Sequence, residues 1–300
     1  MSQRLSEFWH GSRGGGKRVA MGQIMQRRTV LGGLAMTLAW LGQGAARAQA
    51  VSRMPIPTPQ IIASLAPTGR LRAAINLGNA VLAQRDPKTG SVGGVIVDIS
   101  NELARRLGVP VDFIYYDTGG KIAPMQPIDR WDVAFLGTEQ SRAAHLAVTT
   151  PYLSLDGTYL VREDAPFHAV ADLDRDGVRI ATALNSAYDL ELSKMLKHAA
   201  LVRAPTSAAA IELFENNGLE AAAGVRQALE DAQRSSLGLR VLPDAYTRIE
   251  QAMTMPQGRD AGFRYLEDFI EDLKATGFVR NALSRSGQSA TLTPSGKKAP

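Results

Sequence analysis

Hydrophobic and polar positions between residues 69 and 285 follow two alternating patterns. Short apolar or alternating runs predict strands, and longer segments with apolar residues at helical spacing predict helices. In one such helix Ile96, Ile99, Leu103 and Leu107 form the apolar stripe, and Gly108 ends it. The predicted strands cover 70–76, 111–115, 133–136, 158–161, 178–183, 201–204, 219–223, 239–242 and 249–255. The predicted helices cover 96–107, 122–126, a short segment after 141, 187–197, segments that begin at 207 and near 226, 259–276 and 278–285.

Three segments are predicted to lack regular structure. Residues 51–68 contain four prolines and are predicted to form an extended lead-in. Thr149–Tyr152 is predicted to be a turn, and the polar residues 286–300 are predicted to form a disordered tail.

The order of the elements predicts an α/β fold. Strands that alternate with helices form parallel sheets covered on both faces. Two such blocks, connected by extended strands, predict two lobes with a cleft between them. In open α/β sheets the ligand binds at the carboxyl ends of the strands, so the cleft is the expected site.

The first fifty residues have the pattern of an export signal. Arg27 and Arg28 precede an apolar run at Val30–Leu41, which is too short to span a membrane, and Ala48–Ala50 forms an A-x-A site. We therefore expect cleavage near Ala50 and a periplasmic mature protein. A buried N-terminal helix is the alternative.

The route of export and the start of the chain stay open on the sequence alone. The paired arginines resemble a twin-arginine motif, but Gln26 and Val30 differ from its usual residues, so Sec export is equally consistent. Translation could start at Met1, Met21 or Met25.

Charge and composition exclude several classes of protein. Seven of the 34 basic residues and one of the 29 acidic residues lie in 1–50, which leaves 27 basic and 28 acidic residues and a net charge of −1 for the rest. Residues 51–300 have no excess of basic residues, so their charge does not indicate nucleic-acid binding. The chain has no cysteine, and its four histidines are not spaced as metal ligands, so we expect no metal. No cofactor motif is present, and we expect no cofactor.

Six segments carry a resemblance to a known family. They occur in order as Gly69–Ala74, Gly94–Ile99, Leu103–Val109, Trp131–Ala134, Arg142 with Pro151-Tyr152, and Gly218–Ala221. From Gly69 to Arg285 the chain thereby resembles the family 3 extracytoplasmic solute-binding proteins, the periplasmic receptors of polar amino-acid ABC importers.

The resemblance implies a type II periplasmic-binding-protein fold, with two α/β lobes connected by a two-strand hinge. Lobe 1 is expected at 69–159 plus 249–285, and lobe 2 at 160–248. It also implies a monomer that carries a small carboxylate ligand to an ABC permease in the inner membrane.

The resemblance also implies which residues hold the ligand. Arg142 takes the place of the arginine that binds the ligand carboxylate, with Gly137 and Thr138 supplying a backbone amide and a hydroxyl. In the second lobe, Ser186, Ala187 and Tyr188 form the turn at a helix N-terminus, where free amides attract an anion. The alternatives are a solvated surface position for Arg142 and a helix-capping role for Ser186.

One position departs from the amino-acid-binding pattern. Val225 stands where family members place the aspartate that pairs with the α-ammonium group. The hypothesis is therefore a carboxylate or dicarboxylate ligand without an α-amine, held by Arg142 and Arg226. A solvated arginine at a helix start is the alternative for Arg226.

Receptor function without catalytic residues is the prediction, and two other functions stay open. One is a cyclohexadienyl-dehydratase-like enzyme that uses Glu139 or Glu220 as its acid or base. The other is an accessory protein of a periplasmic dehydrogenase or oxidase that uses the same fold without transport.

Overall fold

The structure is a computed structural model and describes residues 54–122, 130–139 and 145–293. Its strands are β1 (Leu71–Asn76), β2 (Gln84–Arg85), β3 (Val92–Gly93), β4 (Val111–Tyr116), β5 (Val133–Gly137), β6 (Leu146–Arg162), β7 (Arg179–Ala183), β8 (Ala200–Ala204), β9 (Ala221–Val225), β10 (Leu239–Val241) and β11 (Thr247–Pro256). Its α-helices are α1 (Pro59–Leu65), α2 (Val95–Leu107), α3 (Gly119–Ile122), α4 (Ala187–Met195), α5 (Ser207–Asn216), α6 (Arg226–Ser235), α7 (Asp260–Ala275) and α8 (Phe278–Arg285). Short 3₁₀ helices cover Val170–Leu173 and Ala290–Leu292.

The main sheet consists of two parallel halves connected by two long strands. Its order is β4-β1-β5-β11-β6-β9-β7-β8, and β10 pairs with β6. The first half contains β4, β1 and β5, which run parallel, and the second half contains β9, β7 and β8, which also run parallel. Strands β6 and β11 lie between the halves and are antiparallel to each other. The predicted α/β class with two blocks is confirmed.

Amphipathic helices cover the sheet where the sequence pattern predicts them. In α2 the apolar stripe is buried, and Gly108 ends the helix in the left-handed conformation that glycine adopts without strain. In α7 Leu266, Phe269, Ile270 and Leu273 are fully buried. The predicted boundaries of α8 are confirmed.

The predicted turn at Thr149–Tyr152 is wrong, because this segment lies inside strand β6. Pro151 has no N–H to donate to a neighbouring strand, which usually restricts proline to edges and bulges. Here Pro151 lies opposite Ala252, where the register between β6 and β11 shifts. The irregularity accommodates the proline, and the strand continues.

The prediction of an extended lead-in is wrong for residues 59–65, which form helix α1. The Thr58 side chain accepts a hydrogen bond from the Ile61 amide, and Pro59 occupies the first turn, where its missing N–H costs nothing. Leu65 is fully buried, and α1 packs against α7. Pro59 therefore marks the start of a helix and does not indicate extended chain.

The predicted tail and lobe boundaries have mixed outcomes. Residues 286–293 contain a 3₁₀ helix, and the Gln288 amide donates to the Leu283 carbonyl, so disorder from residue 286 onward is wrong for this part. Residues 294–300, the predicted export signal at 1–50 and the start of the helix predicted after residue 141 lie outside the described residues, so these predictions stay predictions. The predicted lobe boundaries fall inside β6 and β11, and they stay a prediction.

Candidate ligand-binding site

A cavity lies where the carboxyl ends of parallel strands from both halves of the sheet meet. Asn76 ends β1, Gly137 ends β5, Ala183 ends β7 and Val225 ends β9, and all four line the cavity. Its volume is about 60 Å³, room for roughly four to six water positions. Carboxyl strand ends are where open α/β sheets bind ligands, so the geometry indicates a site for a small molecule.

The first half of the sheet contributes loops to this cavity. The Asn76 side-chain oxygen accepts a hydrogen bond from the Gly78 amide, which fixes the chain as it leaves β1. Thr118 and Gly119 follow β4 and begin α3. The aromatic ring of Phe135 lies on β5, where it is fully buried against Tyr152. This side of the cavity therefore combines amide and hydroxyl groups with one aromatic ring.

The second half contributes the N-terminus of α4. Ser186 is the N-cap, and its hydroxyl accepts a hydrogen bond from the Asp189 amide at 3.1 Å. The Asp189 carboxylate is buried, accepts a hydrogen bond from the Asn185 amide and pairs with Arg203. The capping role of Ser186 is therefore present, and the predicted anion-binding role of this turn stays a prediction.

Tyr188 connects α4 to α5 inside the second half. Its phenol oxygen lies 2.8 Å from the Ser207 hydroxyl, and both residues line the cavity. Burial raises the pKa of the Tyr188 phenol, so this group is neutral over the physiological range. The pair offers a neutral hydrogen-bonding group to a ligand.

Aliphatic side chains complete the second half's side of the cavity. Ile211 lies one helical turn after Ser207 on α5, and Val225, Ala228 and Leu229 come from the junction of β9 with α6. Among the residues that the structure describes, no charged side chain lines the cavity. Val225 is buried there, so the position that lacks the family's aspartate belongs to the cavity wall.

The two halves of the sheet touch each other at the rim of the cavity. A Cβ built on Gly120 of α3 would lie 2.7 Å from the Asn185 Cβ and 3.0 Å from the Asn185 carbonyl oxygen. Asn185 has a positive φ of 57°, a conformation that asparagine tolerates better than most residues. The close approach is possible because Gly120 has no side chain.

The structure brings four of the predicted ligand residues together. Gly137, Ser186, Ala187 and Tyr188 line the cavity. Thr138 is exposed and does not belong to the described lining, although its amide donates to the Glu250 carbonyl. Arg142 lies outside the described residues, so its role stays a prediction.

Arg226 lies away from the cavity. Its guanidinium donates hydrogen bonds to the backbone carbonyls of Leu242, Pro243 and Asp244 at 2.9–3.0 Å. It also lies 3.8 Å from the Asp156 carboxylate. This arginine thus holds the chain before β11 against the start of α6, it does not belong to the described lining of the cavity, and its role toward a ligand stays a prediction.

The two carboxylates considered for catalysis occupy different places. Glu220 precedes β9, where it pairs with Arg179 at the amino end of the strands, opposite the cavity. The Glu139 carboxylate lies against Gly137, so that a Cβ on Gly137 would overlap it. Glu139 thus lies next to a cavity residue, although it does not belong to the described lining itself.

The sequence reasoning missed several residues of the cavity. Asn76 and Thr118 could have been found, because each stands at or just after the carboxyl end of a predicted strand. Ser207 and Ile211 gave no such signal, since they lie on a helix whose apolar stripe predicts only burial.

Comparison with known proteins identifies the family. The model of the bacterial extracellular solute-binding proteins, family 3, matches residues 71–285. The chain belongs to this family. No curated protein sequence matches it. Within the described part of this family 3 protein, no helix is both long and apolar enough to cross a membrane.

Solved structures similar to this family 3 protein have the same fold at low sequence identity. A mutant of ArgBP from T. maritima matches at a TM-score of 0.66 and 19% identity, over 76% of this chain and 99% of that one. A substrate-binding protein of an amino acid ABC transporter from Streptococcus pneumoniae, bound to L-arginine, matches at 0.66 and 16%, over 78% and 98%. AncCDT-1, an ancestral amino acid-binding protein and precursor of cyclohexadienyl dehydratase, matches at 0.65 and 18%, over 75% and 97%. The fold is that of a type II periplasmic binding protein, with two α/β lobes connected by a two-strand hinge.

Proposed function

We propose that this protein is a periplasmic receptor that binds a small carboxylate and delivers it to an ABC permease. The observation that carries the proposal is the cavity between the two halves of the sheet, lined from both sides. A ligand that contacts both halves stabilises their contact, and hinge closure of this kind is how such receptors signal occupancy. The export signal at 1–50 supports a periplasmic location, and Arg142 is the proposed carboxylate anchor.

The ligand that we propose lacks an α-amine. Val225 is buried in the cavity wall and cannot pair with an ammonium group, and a buried unpaired charge is costly. A dicarboxylate is a weaker candidate than the sequence suggested, because the Arg226 side chain is occupied by backbone carbonyls. The proposal is therefore a monocarboxylate.

Binding without catalysis is part of the proposal. Glu220, one of the two candidate acids, forms its ion pair at the end of the sheet opposite the cavity. Glu139 lies beside Gly137. If the protein is a dehydratase, Glu139→Gln abolishes prephenate turnover, whereas a receptor shows no turnover in either form.

A thermal-shift panel tests the receptor function. The mature chain from Val51 is heated with L-amino acids, dicarboxylates, 2-oxo acids and polyamines. A ligand at about a thousand times its Kd adds roughly 4 kcal/mol of stability, a Tm increase on the order of 8–16 °C for a chain of this size. A shift with 2-oxo acids is the expected result, and a panel without any shift contradicts the receptor function.

A further inference from the structure

Aliphatic side chains from α5 and from the junction of β9 with α6 line the cavity. Ile211 and Leu229 are two of them, and Leu229 belongs to a hydrophobic core cluster with Phe214 and Leu160, against which Ile211 packs. Val225 and Ala228 line the cavity as well. We call these four side chains the aliphatic wall, and no charged side chain is among the described lining residues.

The position of Leu229 is set by a glycine. A Cβ built on Gly224 would lie 3.0 Å from the Leu229 Cδ2 and 3.3 Å from its Cγ. The absence of a side chain at Gly224 lets Leu229 lie directly on the β9 backbone, where it is fully buried. The aliphatic wall is therefore part of the packed core and is held in place before any ligand enters.

Polar groups from both halves of the sheet share the cavity with the aliphatic wall. Asn76 and Thr118 come from the first half, and Ser186 caps α4. The hydroxyls of Tyr188 and Ser207 bond to each other. A ligand that carries both polar groups and an aliphatic tail matches this lining, whereas a charged tail against the aliphatic wall would find no charged partner among the described lining residues.

From this arrangement we propose that the site selects a monocarboxylate with a short, uncharged aliphatic tail, which lies against Ile211, Val225, Ala228 and Leu229. The inference rests on the proposed receptor function and names its ligand class. A cavity of about 60 Å³ limits the tail to a few carbon atoms. Ile211 is the residue expected to set the length of tail that fits, because its side chain lines the cavity and is only partly buried.

A chain-length series tests this proposal by calorimetry. The probes are pyruvate, 2-oxobutanoate, 2-oxopentanoate and 2-oxohexanoate, with 2-oxoglutarate as the charged-tail control. Each buried methylene contributes enough to tighten binding by about fourfold, so affinity should increase along the series to an optimum and then decrease. 2-Oxoglutarate should bind at least tenfold more weakly than 2-oxopentanoate.

Two matched variants test whether Ile211 sets the tail length that binds most tightly. Ile211→Ala enlarges the aliphatic end and should move the optimum to a longer tail. Leu213→Ala is the control: it removes the same number of side-chain carbons from a partly buried leucine of the same helix, and this leucine is not among the described lining residues. It should leave the optimal tail length unchanged.

The outcomes separate the inference from the function. Tightest binding by an amino acid or by 2-oxoglutarate, or an optimum that Ile211→Ala does not move, overturns the aliphatic-tail proposal and leaves the receptor function in place. No binding by any member of the series or of the earlier panel overturns both.

Discussion

The two halves of the sheet use the same ion-pair arrangement at their amino ends, but only one of them buries it. In the first half Arg72, the second residue of β1, pairs with Asp132, which precedes β5. In the second half Arg179 begins β7 and pairs with Glu220, which precedes β9. In both pairs the amide of the acidic residue also donates to the carbonyl of the arginine.

Burial distinguishes the two pairs. The Asp132 side chain is 0% exposed, and it also accepts from Arg259, which in turn donates to the Ser64 carbonyl of α1. The Glu220 side chain is 28% exposed. Helix α1 therefore covers the first pair, and the second pair stays open to solvent.

The amino and carboxyl ends of the strands also differ in their charged residues. At the amino ends of the strands the charges pair with each other, whereas at the carboxyl ends the described cavity lining has none. The amino end of each half thus carries a structural ion pair, and the carboxyl end borders the cavity.

The largest expected effect is the loss of the buried carboxylate. Asp132→Ala leaves Arg72 and Arg259 partly buried without their partner, and removing one partner of a buried ion pair costs about 3–5 kcal/mol. Both arginines are about a quarter exposed, so we expect the loss of stability to lie near the lower limit of that range. A loss of this size lowers Tm by about 6–12 °C. Differential scanning calorimetry measures it, and a Tm within a degree or two of wild type would show that the pair contributes little.

The next effect concerns the contact between the halves. Gly120→Ala places a Cβ 2.7 Å from the Asn185 Cβ, so it opposes the close approach of the two halves. Overpacking of this kind costs about 1–3 kcal/mol, which weakens ligand binding by roughly tenfold if the cost is confined to the closed form. Gly93→Ala is the matched control, because a Cβ there meets nothing within 4 Å. Equal affinities for the two variants would show that the contact does not take part in binding.

A smaller effect is expected from Arg226. Arg226→Ala removes the hydrogen bonds to the carbonyls of residues 242–244 and should lower Tm by about 2–6 °C. Ligand affinity should change less than threefold, because the side chain does not line the cavity. A tenfold loss of affinity with an unchanged Tm would restore Arg226 to the ligand site.

The smallest effect is expected from the exposed pair. Arg179 holds the pKa of the Glu220 carboxyl below its usual range, so the stabilisation is present at neutral pH and is lost as the pH falls through that lowered pKa. Glu220→Gln should therefore lower Tm by about 1–3 °C at pH 7, and the difference from wild type should shrink as the pH falls through the lowered pKa of Glu220. A difference that persists in acid would indicate a cause other than the ion pair.

The sequence pattern predicted most elements, because the strands and helices of an α/β fold differ clearly in hydrophobic period. It failed at the two prolines whose role depends on neighbours: Pro59 begins α1, and Pro151 lies at a register shift inside β6. Neither the helix cap at Thr58 nor the pairing with β11 is visible from proline content alone.

The family resemblance, and not the hydrophobic pattern, pointed to the residues of the site that the sequence predicted. Gly137 and Ser186, which the resemblance implied, stand one and three residues after predicted strands, and the structure brings both to the cavity. Arg226 also follows a strand, but its side chain turns toward carbonyls that only the folded chain supplies. Ile211 and Leu229 reach the cavity through the packing of two helices, which periodicity does not resolve.

The central claim is that the ligand is a carboxylate without an α-amine, because Val225 stands in the cavity wall and no acidic side chain is among the described lining residues. Calorimetry with 2-oxopentanoate and L-norvaline tests it most directly, because the two compounds share a carbon skeleton and differ at the α-position. The account predicts that the 2-oxo acid binds at least tenfold more tightly, since Val225 leaves an ammonium group unpaired. Equal or tighter binding of L-norvaline would contradict the account.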